Sequence, residues 1–339
     1  MPAACKKPEC MMTLELSLAC QNTDRTKALF DGRVTIEGCR VNLITGPAEE
    51  IFQRAFRHQE FDISELSFST HLLTTARGQG RYIGLPAFVS RSFRHSAIYV
   101  RADRDIDAPE ALRGRRVGVP DFQQTAGVWV RGMLADQYNL RRQDIHWFTG
   151  GLEQPGRQVR MPLDLPRDIK VEAIGPAQTL SGLLAAGDID AVIAPRVPSC
   201  FAPDGTVRRL FVDYRAAEEE YFRATRLFPI MHLMGIRREL AEQHPWLPVN
   251  VYTAFLKARA LAISDLAVTD TLRVTHPWIV AEIDRVKALM GKDYWSYGVE
   301  ENKGELNALL RYAEADGLTG GPVPMEELFA KATFDGFNF

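Results

Sequence analysis

Apolar and polar positions alternate with a period of two in "LELSLAC", residues 14–20, which predicts a half-buried strand. A loop and short helix in "TDRTKALFDG" follow, and "CRVNLITG" predicts a second strand. The period then changes: "AEEIFQRAFRHQ" sets Ile51, Phe52, Ala55 and Phe56 on one helical face before "FDISELSF" returns to a strand. The succession recurs in "RRVGVPDFQQTAGVWVRGMLADQYN", a strand, a loop and a helix. "IHWFTG" and "DIKVEAIG" predict further strands, and "AQTLSGLLAAGDIDAVIAP" predicts an amphipathic helix, a glycine turn and a strand. Beyond about residue 238 the pattern is mostly helical, ending in the turn "GLTGGPVP" and a short helix. Strands alternating with helices predict an α/β protein.

A chain of 339 residues exceeds what one hydrophobic core usually supports, so two lobes are expected. "HSAIYVRAD" near residue 100 and "YFRATRLFPIMHLMGI" around residue 228 have the look of crossings between them. The expected division is a first lobe of residues 13–98, an inserted second lobe of 99–227, and a return to the first lobe over 228–339 with a helical C-terminal tail. Ligands of such sheets bind beyond the carboxyl ends of the strands, in the crevice between lobes. The Pro- and Gly-rich stretch 149–168 reads as an irregular excursion from the inserted lobe.

Composition narrows the partners. With 46% apolar and 25% charged residues and a net charge of −2, the chain has no global basic field to recruit nucleic acid or an anionic membrane. Anion recognition has to be local. No stretch reaches the roughly 18 apolar residues of a membrane helix. The start has a basic-then-apolar look, but Glu9 and Glu15 interrupt it, so a cytoplasmic protein is expected rather than a secreted one. The five cysteines are scattered without a CxxC pair, as for reduced thiols. Neither HExxH, GxSxG, a P-loop nor GxGxxG occurs, so no cofactor is expected, while a divalent metal held by distant residues stays open.

The segment "SRSFRHSAIYV" concentrates Arg91, Arg94 and His95 before a strand. Histidine exchanges protons near neutral pH, and His95 and His232 fall in the two crossings. Arginine offers bidentate recognition of carboxylate. Arg91 and Arg94, three apart in an extended segment, point to opposite faces, which favours Arg94 as the ligand contact and requires an irregular backbone if His95 is to share its face. Asp24 and Arg25 follow the first strand, Ser67 ends another among Ser64 and Ser69, and Arg196 follows "AVIA". Gln124 and Thr125 stand at a helix N-terminus, where the dipole favours a carboxylate. Arg131, two turns on, is expected in a structural salt bridge.

Taken in order, "DRT", "EFDISELSFST", "FVSRSFRHSAIYV", "RRVGVPDFQQTAGVWVRG", "GDIDAVIAPRVP", "FPIMHLMGIRREL" and "DYWSYG" resemble the 4,5-dihydroxyphthalate decarboxylases of bacterial phthalate degradation across nearly the whole chain. The resemblance implies a two-lobed, type 2 periplasmic-binding-protein-like (Venus-flytrap) fold used as an enzyme. That enzyme removes one carboxylate from 4,5-dihydroxyphthalate to leave protocatechuate. The sequence departs from the family in its extra residues 1–11 and in Gln124, where a hydrophobic residue is expected.

Such a decarboxylation needs an acid near the carbon that loses its carboxylate, a base or cation near the para oxygen, and a clamp for the retained carboxylate. His95, His232 and Asp24 are the candidates for catalysis. Arg25, Ser67, Arg91, Arg94, Gln124, Thr125 and Arg196 are the candidates for substrate binding. The expected partners are a small aromatic dicarboxylate and, at most, further copies of the chain as a homo-oligomer. The alternatives on the same scaffold are a solute-binding or sensor protein for a carboxylate, and a decarboxylase of a related hydroxybenzoate.

Overall fold

The computed structural model describes residues 13–156, 161–202 and 205–334. Residues 1–12 of the signal-like start, with Cys5, Glu9 and Cys10, and residues 157–160 of the Pro/Gly-rich excursion lie outside the described residues.

The chain builds two sheets. The first is assembled from β1 (Leu14–Ala19), α1 (Asp24–Phe30), β2 (Cys39–Ile44), α2 (Ala48–Gln53), β3 (Ile63–Ser67), α3 (Phe68–Ala76) and β4 (Tyr82–Arg91). The second is assembled from β5 (Ile98–Arg101), β6 (Arg116–Val119), α4 (Thr125–Tyr138), β7 (His146–Thr149), β8 (Val171–Ala173), α5 (Leu180–Ala186), β9 (Ala191–Ile193) and β10 (Val207–Arg209). Then α6 (Tyr214–Thr225) leads the chain back into the first sheet as β11 (Ile230–Arg237), followed by α7 (Arg238–Gln243), α8 (Leu247–Leu266), α9 (Ile279–Met290) and α10 (Lys303–Ala315). The strand orders are β2-β1-β3-β11-β4 and β10-β5-β9-β6-β7-β8.

Parallel neighbours need a crossover, and helices supply it, which buries both faces of the sheet. β3 is accordingly buried at every position, including Glu65, and β4 at all but Ser90. β11 runs antiparallel between β3 and β4, in register with Ser67 on one side and Ser90 on the other at His232. Because β3 is parallel to β1 and β11 is antiparallel to both β3 and β4, the carboxyl ends of β1, β3 and β4 and the start of β11 share one edge. In the second sheet β6, β7, β8 and β9 are parallel, and their carboxyl ends share an edge with the start of β5.

The C-terminal helices reach both sheets: α8 lies along α1 and β4, and α10 packs on α4. Close approach of that second pair depends on Gly132, where a Cβ would lie 2.2 Å from the Tyr312 ring. Tyr312 instead packs edge to face with Trp129, whose indole N–H donates to the Ile230 carbonyl at 2.9 Å. Arg131 forms the expected salt bridge: its guanidinium meets Asp316 at 2.6 Å with both side chains fully buried, and Arg142 approaches the same carboxylate at 2.9 Å. Among the described residues no helix is long and apolar enough to cross a membrane.

Candidate active site

At the edge of the first sheet, the imidazole of His232 is held by the carboxylate of Glu65. Its Nδ1 lies 2.7 Å from Glu65 Oε1, and Glu65 Oε2 accepts the backbone N–H of Gln21 at 2.8 Å. Glu65 is only 2% exposed, whereas the His232 side chain keeps 19% of its surface. Phe52 of α2 stands edge-on to the imidazole with centroids 4.7 Å apart. Nε2 of His232 has no hydrogen-bond partner among the described residues. This leaves one imidazole nitrogen fixed on a buried carboxylate and the other available to a ligand.

Glu65 is absent from the candidates drawn from the sequence. The signal was there: in "ISELS" it is the one charged residue of a strand buried at every position. Its partner, 167 residues away, was not legible.

The loop after β1 closes on the same carboxylate through Gln21 and leads into α1, whose first two residues are Asp24 and Arg25. Arg25 Nε donates to the Val89 carbonyl at 3.1 Å, its Nη1 lies 2.5 Å from Asp24 Oδ1, and its guanidinium stacks 4.3 Å from the Trp295 ring. Asp24 is thus engaged by Arg25 rather than by a histidine.

Arg91 and Arg94 do part company. Arg91 is turned into the C-terminal helices, where Nη1 donates to the Phe228 carbonyl, Nη2 donates to the Ser296 carbonyl and the Asn302 amide oxygen, and Glu305 lies at 3.4 Å. Burial pushes its guanidinium down to about 10, against the pull of Glu305. Both terminal nitrogens of Arg91, a candidate for substrate binding, are thus spent on the protein. Arg94 meets Met231, the neighbour of His232, through Nε at 3.2 Å from Sδ, and no carboxylate lies within ion-pair distance of it among the described residues. Desolvation pushes it down to about 10 as well, against the pull of Glu218, leaving it a cation at neutral pH.

The backbone at Arg94 (φ −130, ψ 10) opens a 3₁₀ turn over His95–Ala97, the irregularity the sequence required. That turn does not bring His95 to His232. His95 is 2% exposed, its ring boxed by Phe211 at 5.1 Å and Tyr221 at 5.2 Å, and desolvation pushes it down to about 4. It is held neutral in an aromatic environment, with no described contact to His232.

Ser67 and Thr125 are brought together, and each is the other's partner at 3.1 Å. Thr125 Oγ1 also accepts the Ser69 backbone N–H at 3.1 Å, and Ser69 Oγ donates to the Gln123 carbonyl at 2.5 Å. These hydroxyls join the end of β3 to the start of α4 across the two sheets. Beside them a cavity of about 740 Å³ separates α2 from the loops that follow β6, β7 and β9, with Phe52, Thr70, Gln124 and Arg196 in its wall. Gln124 reaches Glu49 at 3.5 Å across the cavity, while Arg196 is exposed and forms no ion pair among the described residues. Among the described residues no group of three His, Cys, Asp or Glu side chains comes together as a metal site.

Two α/β sheets with these strand orders, joined by two crossings around a cleft, define a two-lobed type 2 periplasmic-binding-protein-like fold. Among solved structures, protein AF1704 from Archaeoglobus fulgidus is similar at a TM-score of 0.50 and 16% identity over 90% of this chain and 98% of that one. The periplasmic aliphatic sulphonate binding protein SsuA from Escherichia coli follows at 0.49 and 15%, over 95% and 99%. In sequence the chain is 44% identical over 329 residues, 97% of this chain and 100% of the other, to a 4,5-dihydroxyphthalate decarboxylase from Comamonas testosteroni. A protein of the same name from Pseudomonas putida is 44% identical over 220 residues, 65% of this chain and 85% of that one. No protein-family model matches. The chain belongs to the 4,5-dihydroxyphthalate decarboxylase family.

Proposed function

We propose that the chain is a carboxy-lyase converting 4,5-dihydroxyphthalate to protocatechuate and carbon dioxide, with His232 as the acid. The observation that carries this reading is the His232 imidazole, tied at Nδ1 to buried Glu65 and open at Nε2, edge-on to a phenyl ring of the interlobe cavity wall.

Direct loss of carbon dioxide from an arene would leave an aryl carbanion whose electron pair cannot delocalise into the ring. In the dihydroxylated ring each carboxylate has a hydroxyl para to it. Electron density from that oxygen lets the carbon bearing the carboxylate accept a proton from His232 Nε2, and the para oxygen becomes carbonyl-like as its proton leaves. The carbon–carbon bond then breaks, its electron pair restores the aromatic ring, carbon dioxide departs, and the oxygen recovers a proton. The balance is one carboxylate and one proton consumed, one carbon–hydrogen bond and one carbon dioxide made.

The two carboxylates are equivalent by symmetry, so loss of either gives the same product, and a clamp on one presents the other to the acid. A cavity of about 740 Å³ is ample for such a ring. Arg196 and the N-terminus of α4 at Gln124 and Thr125 are suited to the retained carboxylate, through charge-assisted bonds and the helix dipole. Arg94 and Arg25 supply positive charge near His232 for an ionising catechol oxygen. The free thiols of Cys20, Cys39 and Cys200 accord with work in the cytoplasm.

The test is to incubate chelator-treated protein with 4,5-dihydroxyphthalate and follow substrate and protocatechuate by liquid chromatography. Conversion supports the reading and shows that no added metal is needed. Failure to convert, with and without restored divalent metal, together with tight calorimetric binding, would replace it with a solute-binding role.

A further inference from the structure

We infer that Glu65 is the positioning residue of this site: it dictates which nitrogen of His232 delivers the proton. The inference rests on the reading of His232 as the acid. Glu65 has both carboxylate oxygens assigned, Oε1 to His232 Nδ1 at 2.7 Å and Oε2 to the Gln21 backbone N–H at 2.8 Å. An ionised carboxylate only accepts hydrogen bonds, so Nδ1 has to be the protonated nitrogen of the neutral ring. The proton given up by the imidazolium therefore leaves from Nε2, and the ring returns to its Nδ1–H form without reorienting.

The second contact ties the geometry of the acid to another element. Gln21 opens the loop that leads into α1, which begins with Asp24 and Arg25, and Thr26 Oγ1 donates back to the Gln21 carbonyl at 2.7 Å. The carboxylate thus holds β3, β11 and the entry to α1 in one register. The groups facing the imidazole are Glu65 from β3 and Phe52 from α2, with Ser67 and Ser90 paired to it in the neighbouring strands and Arg94 on the adjacent Met231. Glu65 is the anion among them.

The chemistry also says what Glu65→Gln does. A carboxamide has one acceptor oxygen, and the Gln21 N–H is an obligatory donor. With the oxygen kept by Gln21, the amide N–H₂ faces Nδ1 and forces it to accept, which reverses the tautomer and opposes the imidazolium.

The experiment combines nitrogen-15 NMR of histidine-labelled protein, assigned with His232→Gln, and steady-state kinetics on 4,5-dihydroxyphthalate. In the unsubstituted protein the neutral His232 ring is expected to carry its proton on Nδ1; a proton on Nε2 overturns the inference whether or not any variant folds. In Glu65→Gln, kcat is expected to fall about a hundredfold or more with KM within about twofold, and the proton to move to Nε2. An unchanged kcat in a folded Glu65→Gln protein, beside an inactive His232→Gln, overturns the role of Glu65 alone. A fully active His232→Gln protein removes the acid itself, and the positioning role with it.

Discussion

Phe52 and His232 meet edge to face, at an interplanar angle of 80° and a centroid distance of 4.7 Å, and the same phenyl ring forms part of the cavity wall. One side chain thus both packs against the imidazole and lines the cavity in which an aromatic substrate would sit. Aromatic pairs of this kind contribute about 0.5–1.5 kcal/mol beyond area burial. Phe52→Ala is therefore expected to lower kcat/KM about three- to tenfold, and Phe52→Leu less. Equal kcat/KM in all three proteins would separate the ring from the chemistry.

Arg196 is exposed at the cavity and without an ion-pair partner among the described residues. A hydrogen bond to a charged group is worth about 1.5–3 kcal/mol, so Arg196→Ala should raise KM about tenfold to a hundredfold while kcat changes little. Because an exposed charge is screened by salt, the KM of the unsubstituted protein should climb between low and physiological ionic strength more steeply than that of Arg196→Ala. Parallel salt curves would count against a clamp at this position.

The two arginines of "SRSFR" should fail in different ways. Removing Arg91 takes the cation from Glu305 and a charged donor from the Phe228 and Ser296 carbonyls and the Asn302 amide, and breaking a buried pair costs about 3–5 kcal/mol. Arg91→Met is thus expected to shift the urea midpoint strongly and leave KM of the folded protein alone. Arg94→Met should do the reverse, because its terminal nitrogens make no described hydrogen bond to the protein. A KM effect at Arg91 without loss of stability would return it to the site.

Acid should unfold the protein through histidines it holds neutral. Burial lowers both His71 and His95 to about 4, against about 6.5 in an unfolded chain. Below about 6.5 the unfolded chain takes up protons that the folded one refuses, so stability is full above that pH and declines as pH falls toward 4. The melting temperature should drop between pH 7 and pH 5, and His95→Leu, which keeps an apolar side chain between Phe211 and Tyr221, should flatten that drop. Identical pH dependence in the two proteins would show that His95 takes no part in it.

Much of this architecture was legible from local pattern. The alternation in "LELSLA" and the helical spacing of Ile51 and Phe52 report directly which face is buried and recover β1 and α2, while Ala55 and the half-buried Phe56 fall in the π-helical turn 54–58 that follows. Residue type and position also nominated His232 in a crossing between lobes, Gln124 at a helix N-terminus and Arg196 at a strand end, since strand ends in an α/β sheet lie at the ligand-bearing edge. "DIKVEAIG" was harder: three residues, Val171–Ala173, pair as a strand, since an edge strand takes its length from one neighbour only.

What local pattern could not carry was the choice between like residues. Arg91 and Arg94 differ by three positions and not at all in chemistry; Ser296, Asn302 and Glu305, some two hundred residues later, decide that one is a strut. His95 and His232 had equal claims until Phe211 and Tyr221 enclosed the first and Glu65 gripped the second. The sequence by itself determined the two-sheet α/β class, the family and the chemical types available at the cleft, because hydrophobic period and residue identity are local properties. Only the tertiary structure decided which histidine is open and which arginine is free, because burial and hydrogen-bond partners come from segments that meet through folding.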